Sequence, residues 1–100
     1  MSPPLIPDEY VDRVAGRFQI LSEPVRLELL NHLNARGEMT VSELVDATGF
    51  RQANVSKHLG RMADDGILTR RKEGVHVYYD LDDPTLSALC LLVCGHLSDS

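Results

Sequence analysis

Residues 40–66 read TVSELVDATGFRQANVSKHLGRMADDG, and the punctuation of this stretch decides the fold. Thr40 and Glu43 have the Thr-x-x-Glu spacing of a capping box, in which each side chain satisfies a backbone N–H left open at a helix start. They open a short helix through Leu44, Val45 and Ala47, which Gly49 ends. After a turn through Phe50 a longer helix begins near Gln52, with Val55, Leu59, Met62 and Ala63 as its apolar stripe, and Asp65-Gly66 stops it. Two helices joined by a short Gly-containing turn form a helix-turn-helix.

Downstream the period changes. Val75, Val77, Tyr79 and Leu81 alternate with His76, Tyr78 and Asp80, and Ile67 to Arg71 can pair with them through a turn at Glu73-Gly74, which predicts a two-stranded hairpin, or wing. Pro84 opens a last helix running from Thr85 to about Leu97 that has almost no polar face. So apolar a helix must be covered on several sides, and a second copy of a small chain can do this by two-fold symmetry. Upstream, residues 1–7 contain three prolines and read as a disordered arm. Asp8 caps a first helix to about Leu21 with Tyr10, Val14, Phe18 and Leu21 at helical spacing, and Ser22 caps a second that turns Val25, Leu29, Leu30 and Leu33 inward and stops near Gly37. The expected architecture is mainly α with a β-hairpin wing: five helices in one domain over residues 8–98, dimerising through the first and last helices.

Composition fits. At 100 residues, 43% hydrophobic and 25% charged, the chain is long enough for one modest core and too apolar to be disordered. The opening residues lack the basic and then apolar regions of a secretory signal, and no run approaches a membrane span, which points to the cytoplasm and to no membrane partner. The net charge of -5 argues at first against nucleic acid. Its distribution reverses that: from Arg51 to Lys72 there are six basic residues and two acidic ones, whereas the rest of the chain has four basic and thirteen acidic. The local field is what a DNA groove meets.

In a helix-turn-helix the second helix enters the major groove with its N-terminal residues toward base edges. Here these are Gln52, Asn54, Ser56, Lys57 and His58. Gln and Asn can pair with adenine, Lys favours guanine, and Ser serves either. Arg61 and Arg51 are better placed for phosphates, and Arg70, Arg71 and Lys72 in the wing reach the flanking backbone or minor groove. No nucleophile with a nearby base, phosphate loop or closed metal-ligand cluster is present, so an enzyme is not expected.

From about Phe18 to Leu81 the sequence resembles the ArsR/SmtB family of bacterial winged-helix repressors. The resemblance rests on Leu21-Ser22-Glu23-Pro24-Val25-Arg26-Leu27, on Val41-Ser42-Glu43-Leu44, on Gln52-Ala53-Asn54-Val55-Ser56-Lys57-His58-Leu59, and on Gly74-Val75-His76-Val77-Tyr78-Tyr79. It implies a dimer made by the first and last helices, recognition helices about one DNA turn (~34 Å) apart, and double-stranded operator DNA with inverted-repeat symmetry. It also implies repression relieved by a metal ion or an oxidant. Two departures stand out: Arg51 occupies a capping position where the family often has Ser, and Gly60 lies inside the recognition helix, where it is unfavourable by roughly 1 kcal/mol relative to Ala.

The family's metal site on the third helix is absent here, where Leu44 and Val45 stand. Its site between the last helices maps onto Asp83, Thr85, His96 and Asp99, with Thr in place of a His. One imidazole and two carboxylates (Asp83, His96, Asp99) would hold zinc weakly. His96 reads more readily as a surface or dimer-interface histidine near a helix C-terminus. Cys90 and Cys94 are the other candidate sensor. Residues four apart on a helix have Cβ atoms ~5 to 6 Å apart, too far for an unstrained disulfide, so a soft ion or a link to a symmetry mate is the alternative. Both cysteines also suit simple packing in an apolar run. The expected function is therefore a dimeric repressor with thiol or metal control and no certain cofactor. A winged-helix protein-interaction module is the rival reading.

Overall fold

The computed structural model describes residues 3–98. Met1 and Ser2 of the expected arm, and Asp99 of the expected metal set, lie outside the described residues. A single 3-10 turn, Asp8–Tyr10, leads into α1 (Val11–Ile20). Then follow α2 (Pro24–Arg36), β1 (Met39–Thr40), α3 (Val41–Thr48), α4 (Gln52–Asp64), β2 (Leu68–Glu73), β3 (His76–Leu81) and α5 (Pro84–Ser98).

Local signals set most of these boundaries. Pro24 occupies the first turn of α2, where its missing N–H costs nothing. The capping box at α3 is complete: the Glu43 N–H donates to Thr40 Oγ1 at 3.1 Å, and the Thr40 N–H donates to Glu43 Oε1 at 3.0 Å. Gly49 closes α3 at φ 76°, a left-handed conformation that a Cβ would disfavour. Between β2 and β3, Glu73 pairs with His76, leaving the two-residue turn Gly74-Val75. Gly74 takes φ 62° and Val75 has no positive φ, the pattern of a type II′ hairpin turn.

Leu29 and Leu33 of α2, Leu44 of α3, and Val55, Leu59 and Met62 of α4 form the buried centre, closed by Met39, Ile67, Leu68, Tyr79 and Leu86. The apolar spacing of α2 and α4 thus lies on their packed faces, which holds α4 rigidly against α3.

Two expectations are corrected. The sheet has three strands in the order β1-β3-β2, because Met39 pairs with Tyr79 and Thr40 with Tyr78 in addition to the hairpin. The helix starts differ: Ser22 Oγ donates backward to the Gln19 carbonyl, Glu23 is the N-cap of α2, and no side-chain cap is made by Asp8. On α1 only Ile20 is buried, and Tyr10 and Phe18 of the helically spaced apolar residues are about half exposed.

Candidate nucleic-acid interface

The recognition element is built from α4 outward. Val55, Leu59 and Met62 turn one face of the helix to the core, so most residues between them face away from it. Gln52, Ser56, Lys57 and Arg61 are exposed, Asn54 is half-buried, and Arg51 stands at the N-cap with no side-chain capping bond. This leaves amide, hydroxyl, amine and guanidinium donors on one solvent-facing surface. The exception is His58, which is buried at 8% exposure and turned inward. Its Nδ1 accepts a hydrogen bond from Arg26 Nε at 3.2 Å, so it belongs to the inner face of α4 and not to the base-reading set expected from its position.

The three basic wing residues are not equivalent. The Arg70 guanidinium lies over the Tyr79 ring, 5.5 Å from its centroid, and reaches toward Gly60 of α4. Lys72 is exposed and makes no ion pair among the described residues. Arg71 is engaged: its Nε donates to Glu38 Oε2 at 2.8 Å, its Nη2 donates to Glu38 Oε1 at 3.1 Å, it pairs with Glu73, and it sits over Tyr78 at 4.6 Å. The hydrogen bond from Arg71 holds the Glu38 carboxyl below the usual range, and the Glu38 and Glu73 carboxylates push Arg71 up. Arg71 is a strut between the sheet and the chain before β1.

The two cysteines share a setting. Cys90 is half-buried and Cys94 exposed, both are free, and both line a cleft of about 250 Å³ with Leu30, Asn31 and Leu86 between α2 and α5. Asp83 and His96 are not brought together. They stand at opposite ends of α5, about 20 Å apart by helical rise. His96 is exposed, whereas Asp83 is buried and accepts from Arg17 Nη1, from the Thr85 N–H at 3.0 Å and from Thr85 Oγ1. Two of those bonds fall on Asp83 Oδ1 and one on Oδ2, and the described residues contain no cluster of three or more His, Cys, Asp or Glu able to hold an ion. The expected zinc set lies between the last helices of two copies, so its ligands are not expected to converge within one chain.

Sequence reasoning missed Arg26, Arg17 and Glu38. Arg26 had a signal: it lies on the stripe Leu29, Leu30, Leu33 at helical spacing, which makes it a buried position. Arg17 and Glu38 had none, since their partners are 66 and 33 residues away.

A helix pair with an exposed polar recognition face, flanked by a basic hairpin, defines a winged helix-turn-helix protein. Comparison with known proteins agrees. The family described as "Helix-turn-helix domain" matches residues 21–71. The probable mercury resistance operon repressor of Streptomyces lividans is 36% identical over 87 residues, covering 87% of this chain and 69% of that protein. The HTH-type transcriptional repressor SmtB of Mycobacterium tuberculosis (strain CDC 1551 / Oshkosh) is 32% identical over 98 residues, covering 98% of this chain and 70% of the relative. Among solved structures, the AntR antimony-specific transcriptional repressor superposes with a TM-score of 0.87 at 28% identity, covering 99% of this chain and 89% of AntR. The chain belongs to the ArsR/SmtB family of winged-helix transcriptional repressors. The matched proteins are transcriptional regulators, and this chain is not an enzyme.

Proposed function

We propose that this chain is a homodimeric repressor that places α4 in the major groove of an inverted-repeat operator and releases it when its cysteines meet an effector. The observation that carries DNA readout is the exposed row Gln52, Ser56, Lys57 and Arg61 beside Arg70 and Lys72, on a molecule that is acidic elsewhere. Gln52, Asn54, Ser56 and Lys57 read bases, and Arg51, Arg61, Arg70 and Lys72 meet phosphates.

Dimerisation is supported by the outward apolar side chains of both terminal helices. Leu91, Leu92 and Val93 of α5 are 50% exposed or more, and Phe18 of α1 is 51% exposed. A second copy covers them by the same surface in each direction. Effector control is supported by position: the cleft holding Cys90 and Cys94 lies under α5, the helix that joins the copies. Similar repressors are named for mercury, arsenical and cadmium resistance and for antimony, and soft ions of this kind take thiolate ligands.

The test is binding to the DNA upstream of the chain's own reading frame at several salt concentrations, first fully reduced, then after peroxide, then with zinc. Steep salt dependence is expected, with loss on thiol modification. Loss only with zinc would move the effector site to His96 and the α5 ends. A folded dimer that binds no DNA in any condition would overturn the repressor reading in favour of a protein-interaction module.

A further inference from the structure

The buried pair Arg26 and His58 takes no part in the DNA contacts proposed above. Arg26 is 5% exposed and His58 is 8% exposed, and a buried guanidinium is tolerated only when its N–H groups are satisfied. Those of Arg26 go to three elements. Its Nη1 donates to the Gln19 carbonyl at the end of α1 at 3.2 Å, its Nη2 lies 3.5 Å from Glu23 Oε1 at the start of α2, and its Nε donates to His58 Nδ1 on α4 at 3.2 Å. Arginine cannot accept, so His58 Nδ1 must be unprotonated and the ring proton sits on Nε2, which faces Glu23 Oε2 at 3.9 Å.

We infer that Arg26 and His58 are a positioning pair for DNA recognition, in which neutral His58 locks α4 in its reading orientation and a protonated His58 releases it. The inference rests on the DNA-binding reading above. Geometry gives the reason. His58 follows Lys57 and lies one turn before Arg61, so a small rotation of α4 about this anchor moves both DNA-facing cations. A proton on Nδ1 removes the acceptor that Arg26 Nε uses and sets a second cation against the guanidinium. Burial and the Arg26 charge, with Lys57 and Arg61 further off, hold the His58 pKa below its ordinary value against the opposing pull of Glu23. The neutral form is therefore the resting one.

The experiment measures affinity for operator and for random duplex DNA from pH 8 to pH 5 with the full-length dimer, for wild type, His58→Asn and His58→Leu. Asn offers a carbonyl oxygen near the place of Nδ1 and does not titrate. Wild-type operator affinity is expected to fall by about tenfold per pH unit for each protomer below the His58 pKa, and so by up to about a hundredfold for the dimer, the linkage of one proton per copy, while random-duplex affinity changes little. His58→Asn keeps tight operator binding and loses the acid dependence. His58→Leu loses operator preference at every pH but keeps its affinity for random duplex, which an unfolded protein would not. Identical pH profiles for wild type and His58→Asn, or undiminished operator preference in His58→Leu, overturn the inference. Should a variant not fold, the ¹⁵N spectrum of the wild-type imidazole at pH 8 decides: Nδ1 unprotonated is required, and a proton there overturns it. Absence of any operator binding by wild type at pH 8 overturns the parent reading as well, and is recognised separately because it precedes any effect of pH.

Discussion

Arg17, on α1, donates to the buried carboxylate of Asp83, 66 residues later at the head of α5. This pair ties together the two helices that carry outward apolar surface, and it therefore sets the angle between the surfaces that a second copy would meet. Asp83 also caps α5 through the Thr85 N–H, so one carboxylate orients the helix and anchors it.

Replacing Asp83 by Ala removes the cap and leaves Arg17 without its partner. A loss of about 1–3 kcal/mol in unfolding free energy is expected in metal-free protein. His96→Ala, at an exposed site, should stay within about 0.5 kcal/mol of wild type. Urea unfolding after chelation checks both. If Asp83→Ala is harmless until zinc is added, the carboxylate is a ligand and not a cap.

Stability should fall with acid. Burial raises the Asp83 carboxyl, but the bonds from Thr85 and Arg17 outweigh it and leave it below the usual value, and His58 is also held low. For both groups the unfolded chain binds the proton more readily, so stability is full above the unfolded pKa and is lost as pH falls. The loss begins below about 6.5 through His58 and continues through the carboxylate range. Glu38 and Glu43 shift the same way through hydrogen bonds from Arg71 and Thr40, but at the surface they add little. Urea midpoints at pH 7.5, 6 and 4.5 should decrease in that order, and a rise on acidification would contradict the sign.

The wing arginines should separate in a salt titration. Arg70→Ala and Lys72→Ala are each expected to reduce the slope of log affinity against log salt by about 2, one phosphate for each copy in the dimer. Arg71→Ala should leave the slope near wild type and lower stability instead, since its guanidinium is held by Glu38 and Glu73. Equal slopes for all three variants would show that Arg71 leaves its struts for DNA.

Charging the outer face of α5 tests the dimer. In Leu91→Glu with Leu92→Glu, two side chains that are 72% and 75% exposed in the single chain become charged with little expected cost to the monomer's core. Sedimentation should show a monomer, and operator affinity should drop about 10²-fold or more as the two half-sites lose their linkage. A folded dimer with unchanged affinity would place the interface elsewhere.

Gly60 gives a stabilising variant. A Cβ built there meets only Arg70 Nη2 at 3.9 Å, an ordinary contact, and the backbone is helical. Gly60→Ala should gain about 0.5–1 kcal/mol and raise Tm by roughly 2–8 °C. A lower Tm would mean that the Arg70 side chain needs that space.

How much of the fold is legible in the sequence depends on distance along the chain. The capping box at Thr40 and Glu43, the stop at Gly49, the stripe Val55, Leu59, Met62 and the alternation from Val77 to Leu81 each arise among residues a few positions apart, where backbone geometry dictates which groups can meet. Such signals sufficed for the helix-turn-helix and the wing, and the cluster of bases from Arg51 to Lys72 for its polarity. Contacts across the fold carry no such mark. The strand Met39–Thr40 is two residues long and exists only because Tyr78 and Tyr79 lie alongside to complete its ladder. His58 looked like its neighbours on α4, yet the buried Arg26 opposite bonds it to the inner face; Arg71 looked like Arg70 and Lys72, yet Glu38 claims it; nothing near Asp83 in the sequence announces that Arg17 reaches it from α1. The amino-acid order settled which elements form and which surface is basic, because those follow from local spacing and charge. Which polar side chains remain free to act was decided in three dimensions, because a donor or acceptor is available only after its long-range partners have been counted.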